Sequence, residues 1–410
     1  MSPEAGFLPA PGELYLTAAP AQPAARDWTG WRGANRDGLV PWLPEKFAAS
    51  PNIVWRYRLS AIGIGGVAAT SKFVLVTDRE FDDAFDALRC LDAVTGKELW
   101  THRYPAPGML DYGNSPRATP LIVGERCWLL GAHGNLSCVE LASGREVWQI
   151  DVKADFGLVE PMKWGLCGSP LFVDGKLILY VGGPQAALVA LDPATGKAIW
   201  KTPGNPPGYG SLNVGMLGGR RQIVGHDATT LSGWEIETGK QLWTLKPPNG
   251  GDFNVPTPII WKDHLLVSTE NNGTRMFRFD AAGKIVQEPV GNFEELAPDT
   301  HSPLAAGDRL FGASGDLYCL DLKQPLRLLW KGRNDTFFKH TSLIASSDRL
   351  LVSTSDADLL LIDARASEYK LLSKMKVLEN ESGLLSHPAL VGTRLYFRGS
   401  HEIVCVALAE

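Results

Sequence analysis

One short unit recurs along the chain and narrows its possible folds more than any other feature. It reads CLDAVTGKELW at residues 90–100, and it returns as CVELASGREVW at 138–148, ALDPATGKAIW at 190–200 and GWEIETGKQLW at 233–243. Weaker copies begin at Arg278 (RFDAAGKIV), Cys319 (CLDLKQPLRLLW) and Leu361 (LIDARASEYKLL), with Val286 and Leu372 standing where Trp stands elsewhere. A period of about 45 residues matches one four-stranded blade of a β-propeller. Within the unit, apolar alternation before the Asp predicts a half-buried strand. The Asp-x-x-Thr-Gly-Lys stretch predicts a hairpin loop, because Asp bonds its own downstream backbone and Gly supplies the positive φ. The following strand ends on a large ring that fills the gap between neighbouring blades. Six of the 13 tryptophans (Trp55, Trp100, Trp148, Trp200, Trp243 and Trp330) occupy this interblade slot.

A second repeated hairpin precedes each unit. Residues 169–180 (SPLFVDGKLILY) are its clearest copy, echoed at 119–130, 257–268, 302–312, 342–352 and 387–397. Each unit is therefore four strands, and the expected fold is all-β: an eight-bladed β-propeller of four-stranded antiparallel blades. The last unit, 384–410, has only three strands. Residues 53–57 (IVWRY) form an orphan fourth strand at the other end of the chain. Pairing them closes the ring and removes two exposed sheet edges. The expected organisation is a leader and extension at 1–52, carrying a Trp-x-x-Trp-Arg-Gly motif, then a propeller at 53–410 whose eighth blade combines 384–410 with 53–57.

The Leu-Asp-x-x-Thr-Gly-Lys-x-x-Trp unit resembles the repeat of the pyrroloquinoline-quinone-dependent alcohol dehydrogenases. It equally resembles that of their non-catalytic relatives, such as the outer-membrane assembly lipoprotein of Gram-negative bacteria. Trp28-x-x-Trp31-Arg32-Gly33-x-x-Arg36-Asp37-Gly38 is similar to the leader of envelope-associated, quinone-binding-like bacterial propellers. For the catalytic members, the resemblance implies a quinone held against a disulfide between adjacent cysteines and covered by a tryptophan. It also implies a calcium held by Glu, Asn and Asp side chains, with a further Asp as base. This sequence has no adjacent Cys pair and no Cys-x-x-Cys-His haem attachment. No cofactor or metal is expected on that ground, and pyrroloquinoline quinone with calcium is the one to test.

Four of the six cysteines, Cys90, Cys138, Cys319 and Cys405, stand at equivalent repeat positions on different blades, so most cannot meet within disulfide range. They read as small buried hydrophobes and reduced thiols, with Cys127 and Cys138, in one blade, the pair to check. A formal net charge of −5, with no basic run, argues against nucleic acid or anionic lipid as the main partner. No stretch approaches the apolar length of a membrane helix. Residues 21–25 (AQPAA) look like a small-residue cleavage site, but no Lys or Arg precedes Arg26 to form the charged start of a secretory signal. A periplasmic or secreted location is expected from the resemblance, and residues 1–27 are expected to be dispensable.

In a propeller the loops entering the innermost strands converge on one mouth of the channel, and function sits on such loops. Aligning the units places Tyr112, Asn114, Arg117, Lys163, Trp164, Tyr209, Asn213, Asp252, Asn254, Asp299, His301, Lys339, His340 and His387 there. Trp164 is the expected stacking platform, and histidines beside an acid are expected to respond between about pH 5 and 8. Two functions follow. The first is a non-catalytic binding or scaffold propeller of the bacterial envelope, a monomer, taking a small-molecule ligand or protein partner at this mouth. The alternative is a quinone-dependent dehydrogenase oxidising an alcohol or sugar, with Asp299 or Asp252 as base.

Overall fold

The computed structural model describes residues 26–158 and 162–409. It contains eight four-stranded antiparallel sheets arranged as propeller blades. Blades 1 to 7 span residues 68–105, 121–151, 171–202, 213–245, 259–293, 304–333 and 341–376. Blade 8 takes three strands from 389–407, and its outermost strand is Asn52–Arg58. The two ends of the chain pair in register, with Trp55 opposite Cys405, so the ring has no free closing edge.

The repeat explains the packing residue by residue. Each slot tryptophan lies directly across from a small residue: Trp100 from Cys90, Trp148 from Cys138, Trp200 from Ala190, Trp243 from Gly233 and Trp330 from Cys319. A larger side chain there would compete with the indole for the same space. The register shifts immediately after every one of these pairs, a β-bulge that bends the outer strand. The indole then reaches the next blade. Nε1 of Trp100 donates to Leu141 O at 2.9 Å, Trp148 to Pro193 O at 3.0 Å and Trp200 to Ile236 O at 3.1 Å. The turn glycine serves this contact as well as the turn. Gly144 has φ +70°, and a Cβ on it would stand 2.5 Å from the Trp100 ring.

Blade 5 departs from the expected register. Phe279 and Ile285 bridge across the short Asp280–Gly283 turn, and the fourth strand is Gly291–Phe293. Val286 therefore does not fill the tryptophan slot. The contact from blade 4 onto this turn is relayed: Trp243 Nε1 donates to Gln222 Oε1 at 2.6 Å, and Gln222 Nε2 donates to Gly283 O at 3.0 Å.

The hydrophobic core is distributed between blades. One cluster joins Leu75, Leu88 and Cys90 of blade 1 to Cys127, Leu129 and Val139 of blade 2. Cys138 belongs to a different cluster, between blades 2 and 3. Cys127 pairs with Val139 while Cys138 pairs with Trp128, so the two thiols point to opposite faces of one sheet. All six cysteines are free.

Residues 1–25 lie outside the described residues, including the cleavage-like 21–25. From Trp28 onward the leader is built into the ring. Trp28 is 2% exposed and exchanges two 2.8 Å backbone hydrogen bonds with Ala69; Ile122 N donates to Thr29 O and Val40 N to Ala345 O. Ala69 and Ala345 end the innermost strands of blades 1 and 7, so the leader crosses the mouth opposite the predicted site.

Candidate functional site

The loops that enter the innermost strands line the other, open mouth, and the structure divides the predicted residues there into sectors. Tyr112, Trp164 and Tyr209 meet. Trp164 lies 4.6 Å from the Tyr209 ring, 4.6 Å from Phe253 and 6.3 Å from Tyr112, centroid to centroid. Four consecutive loops thus contribute one aromatic cluster. Trp164 is half-buried, whereas Tyr112 is 70% exposed and Phe253 44%. Lys163 sits 5.5 Å over the Trp164 ring and 3.4 Å from Asp111. Arg117 lies beneath and holds the loops: its guanidinium donates to Trp164 O at 3.0 Å and to Asp111 O and Gly113 O at 2.7 Å. Asn114 accepts from Leu110 N and donates to Asp83. These two residues position the platform.

Asp252, Asn254 and Asn213 serve the loop backbones. Asp252 accepts from Asn271 N at 2.8 Å and Asn272 Nδ2 at 2.6 Å, and Asn254 Nδ2 donates to Asp227 O at 3.0 Å. Asn213 donates to Pro258 O across the blade boundary. Asn254 has φ +57°, a conformation that Asn tolerates better than most residues. Beside them Glu270 accepts from Phe253 N, and burial raises its carboxyl above the usual range.

The histidines form a separate sector. His301 and His340 stand edge to face at 5.8 Å, and His340 shares a 3.3 Å hydrogen bond with Thr300 Oγ1. His387 is sandwiched by the leader, with Trp28 stacked at 5.7 Å and Trp31 edge-on at 5.5 Å. Asp299 is exposed, and Lys339 pairs with Asp356 at 3.0 Å. The expected response between pH 5 and 8 does not hold. Burial, together with the charge of Arg32, pushes His387 down to about 4, and burial with two neighbouring imidazoles pushes His340 to about 3.

Two residues seen in the sequence only as part of the leader reach the channel axis. Arg36 donates to Leu212 O at 3.0 Å, Pro170 O at 2.9 Å and Ser169 O at 3.2 Å, and Arg32 donates to Pro303 O at 2.9 Å. Those carbonyls stand where the chain enters blades 3, 4 and 6. Trp31 Nε1 adds a bond to Thr257 Oγ1. The leader therefore closes the far mouth and fills the axis up to the entry collar. The Trp-Arg spacing was visible in the sequence, but its destination depends on ring closure.

A family profile described as outer membrane protein assembly factor BamB matches residues 47–149 and 132–370. The chain belongs to this family. Among curated relatives, BamB of Shewanella oneidensis is 22% identical over 282 residues, 64% of this chain and 67% of its own length. Quinoprotein alcohol dehydrogenase PedH of Pseudomonas putida is 28% identical over 169 residues, but the match spans only 26% of its length. Solved structures give the same pair of likenesses. BamB from Moraxella catarrhalis aligns with TM-score 0.61 and 14% identity, over 87% of this chain and 99% of that one. The quinohemoprotein alcohol dehydrogenase from Comamonas testosteroni aligns with TM-score 0.65 and 12% identity, over 94% and 81%. At these identities the structural likeness is one of fold.

The BamB-family residues at this mouth do not fit the quinone and calcium that the dehydrogenase resemblance implies. Cys167, half-buried near Trp164 O, has no adjacent cysteine. Asp252 and Asn254 are committed to backbone and amide partners, and among the described residues no three His, Cys, Asp or Glu side chains converge as a metal site. Trp164 is already packed against Tyr209 and Phe253, each with its ring centroid 4.6 Å away.

Proposed function

We propose that this chain is a non-catalytic binding propeller of the bacterial cell envelope that holds a protein partner on its open mouth. The observation that carries this reading is the aromatic cluster of Tyr112, Trp164, Tyr209 and Phe253, whose rings pack on one another and present an apolar surface. Met109, on the same loop as Tyr112, and Phe81, on the loop between the second and third strands of blade 1, are both 92% exposed. A small-molecule site is a concave pocket of several hundred Å³, whereas the cavity at this mouth, lined by Cys167, Ser169, Pro207 and Gly210, measures about 10 Å³. A crevice of about 290 Å³ lies elsewhere, between blades 3 and 4, lined by residues such as Tyr180, Asn205 and Trp234. Aromatic residues and Met are the side chains enriched in protein interfaces. BamB relatives named as outer membrane assembly factors support a periplasmic location, and no helix among the described residues is long and apolar enough to cross a membrane.

The test compares the wild type with Tyr112→Ser/Phe253→Ser and with a control substitution on the opposite face, Lys262→Ser. Each is incubated with an envelope extract of the source cells, and retained proteins are quantified. A protein retained by the wild type and the control but lost by the double variant supports the reading. Equal retention by all three removes the mouth from it. In parallel, pyrroloquinoline quinone and Ca²⁺ are added and dye-linked alcohol oxidation is followed; turnover would establish the dehydrogenase instead.

A further inference from the structure

The crevice of about 290 Å³ between blades 3 and 4 lies beside the loop that joins them. That volume is at the small end of the pockets that hold small molecules. Residues 203–205 of the joining loop line it, as do Asp227 and Thr230 at the turn between the second and third strands of blade 4. Its apolar lining comes from Leu188 and from the Tyr180 and Trp234 rings, which meet edge to face with centroids 5.9 Å apart. Gly204 leaves room on the blade 3 side: a Cβ there would stand 2.9 Å from the Ala187 Cβ and 3.2 Å from the Tyr180 hydroxyl. The crevice shares no residue with the aromatic cluster at the mouth.

No Lys, Arg or His lines the crevice, and Asp227 is its one carboxylate. Both oxygens of that carboxylate are spent. Oδ1 accepts from Thr229 N at 2.7 Å and from Thr230 N, and Oδ2 accepts from Thr230 Oγ1 at 2.7 Å and Asn205 Nδ2 at 3.0 Å. Four other groups of the lining remain unspent. Gln241 Nε2 donates to Ser232 Oγ at 3.0 Å, and Ser232 Oγ donates to Thr244 Oγ1 at 3.1 Å. This chain of bonds leaves Gln241 Oε1 as an acceptor and the Thr244 hydroxyl proton as a donor. Asn205 Oδ1 is a second acceptor, and Trp234 Nε1, on a residue only 3% exposed, is a second donor. Among the described residues none of these four has a hydrogen-bond partner.

Donors and acceptors in equal number, beside aromatic and aliphatic surface and with no charge left to pair, define the ligand. An ammonium brings donors only, which cannot serve Trp234 Nε1 or the Thr244 hydroxyl. A carboxylate or phosphate brings acceptors only, and it would meet two amide oxygens and the Asp227 charge with no base to offset them. A hydroxyl both donates and accepts, so several hydroxyls on one ring answer all four groups. The C–H bonds of that ring cover Leu188 and the Tyr180 and Trp234 side chains. We infer that the crevice between blades 3 and 4 binds one neutral sugar ring. This site goes beyond the protein-binding mouth and stands without it.

The test uses the full chain and saturation-transfer NMR with glucose, galactose, mannose and N-acetylglucosamine, each beside its methyl glycoside. Glucosamine and glucuronate serve as the charged counterparts. Saturable binding of at least one neutral sugar is expected, with both charged sugars weaker. Equal binding of a sugar and its methyl glycoside assigns the site to the end of a glycan, and loss in the glycoside assigns it to a free sugar. Gln241→Ala/Thr244→Val removes one acceptor and one donor from exposed positions of the outermost strand of blade 4. It should melt with the wild type and bind the sugar roughly tenfold more weakly. No saturable binding by any of the four sugars, an affinity unchanged in the double variant, or glucosamine or glucuronate binding more tightly than the neutral sugars would each overturn the assignment.

Discussion

Trp55 Nε1 donates to Ala93 O at 3.2 Å, and the same indole ring lies against Gly96. The tryptophan comes from the strand before the first complete blade and completes the last one, so this contact joins blade 8 to blade 1. Gly96 has φ +71°, and a Cβ there would stand 2.5 Å from the ring. Gly96→Ala should therefore cost more than the roughly 1–2 kcal/mol of left-handed strain alone, and Trp55→Ala about 3–5 kcal/mol. Urea unfolding measures both. A Trp55→Ala protein as stable as the wild type would refute closure through this strand.

The leader gives a proteolytic prediction. Arg26 is exposed, whereas Arg32 and Arg36 are buried with their guanidiniums on blade-entry carbonyls. Brief native trypsin digestion followed by mass spectrometry should find cleavage after Arg26 and none after Arg32 or Arg36. Cleavage at either inner site in the folded protein would mean that the leader does not thread the ring.

Trp164 and Trp243 should separate binding from stability. Trp243 is 7% exposed in an interblade cluster and bonded to Gln222; its replacement by Ala should cost about 3–5 kcal/mol. Trp164 is half-buried, and Trp164→Ala should lower Tm less while removing the partner that the mouth retains. Equal destabilisation by the two substitutions would make Trp164 a core residue.

Acid should weaken the fold through its histidines. His226 and His387 are held down to about 4, and His340 to about 3, by burial first and neighbouring positive or imidazole groups second. These rings are neutral when folded and protonate near pH 6.5 when unfolded, so below pH 6.5 the unfolded chain binds more protons. Their stabilisation is complete above pH 6.5 and is lost as pH falls toward 4, by roughly 3 kcal/mol for a ring shifted from 6.5 to about 4. Melting curves from pH 7 to 4 check the sign, and His387→Phe should flatten the dependence.

Six thiols should titrate in denaturant without reductant, since all six are free. In the folded state they should react slowly, because burial pushes Cys90, Cys167, Cys319 and Cys405 up to about 12. Finding only four reactive groups would show a bridge that the opposed faces of Cys127 and Cys138 do not allow.

Blade count, the composite closure, the tryptophan slot and the thiol state were legible because each rests on local physics. Alternation sets the strands, Asp and Gly set the turn, and the repeat sets where both recur. Blade 5 was misread because its loop lost the Thr-Gly signal, and the relay from Trp243 through Gln222 to Gly283 leaves no periodic trace.

The mouth was legible as a place but not as a chemistry. Aligned register brought Tyr112, Trp164 and Tyr209 to one opening, yet whether rings stack, and which acids are already spent on backbone amides, depends on loops that share no pattern. Phe253 and Glu270 carried no motif at all. The destination of Arg32 and Arg36 lay furthest from reach. A side chain at the axis meets residues from blades 3, 4 and 6 only after the ring has closed, and separations of 133 to 271 residues between donor and acceptor arise from tertiary assembly, on which local sequence has no hold.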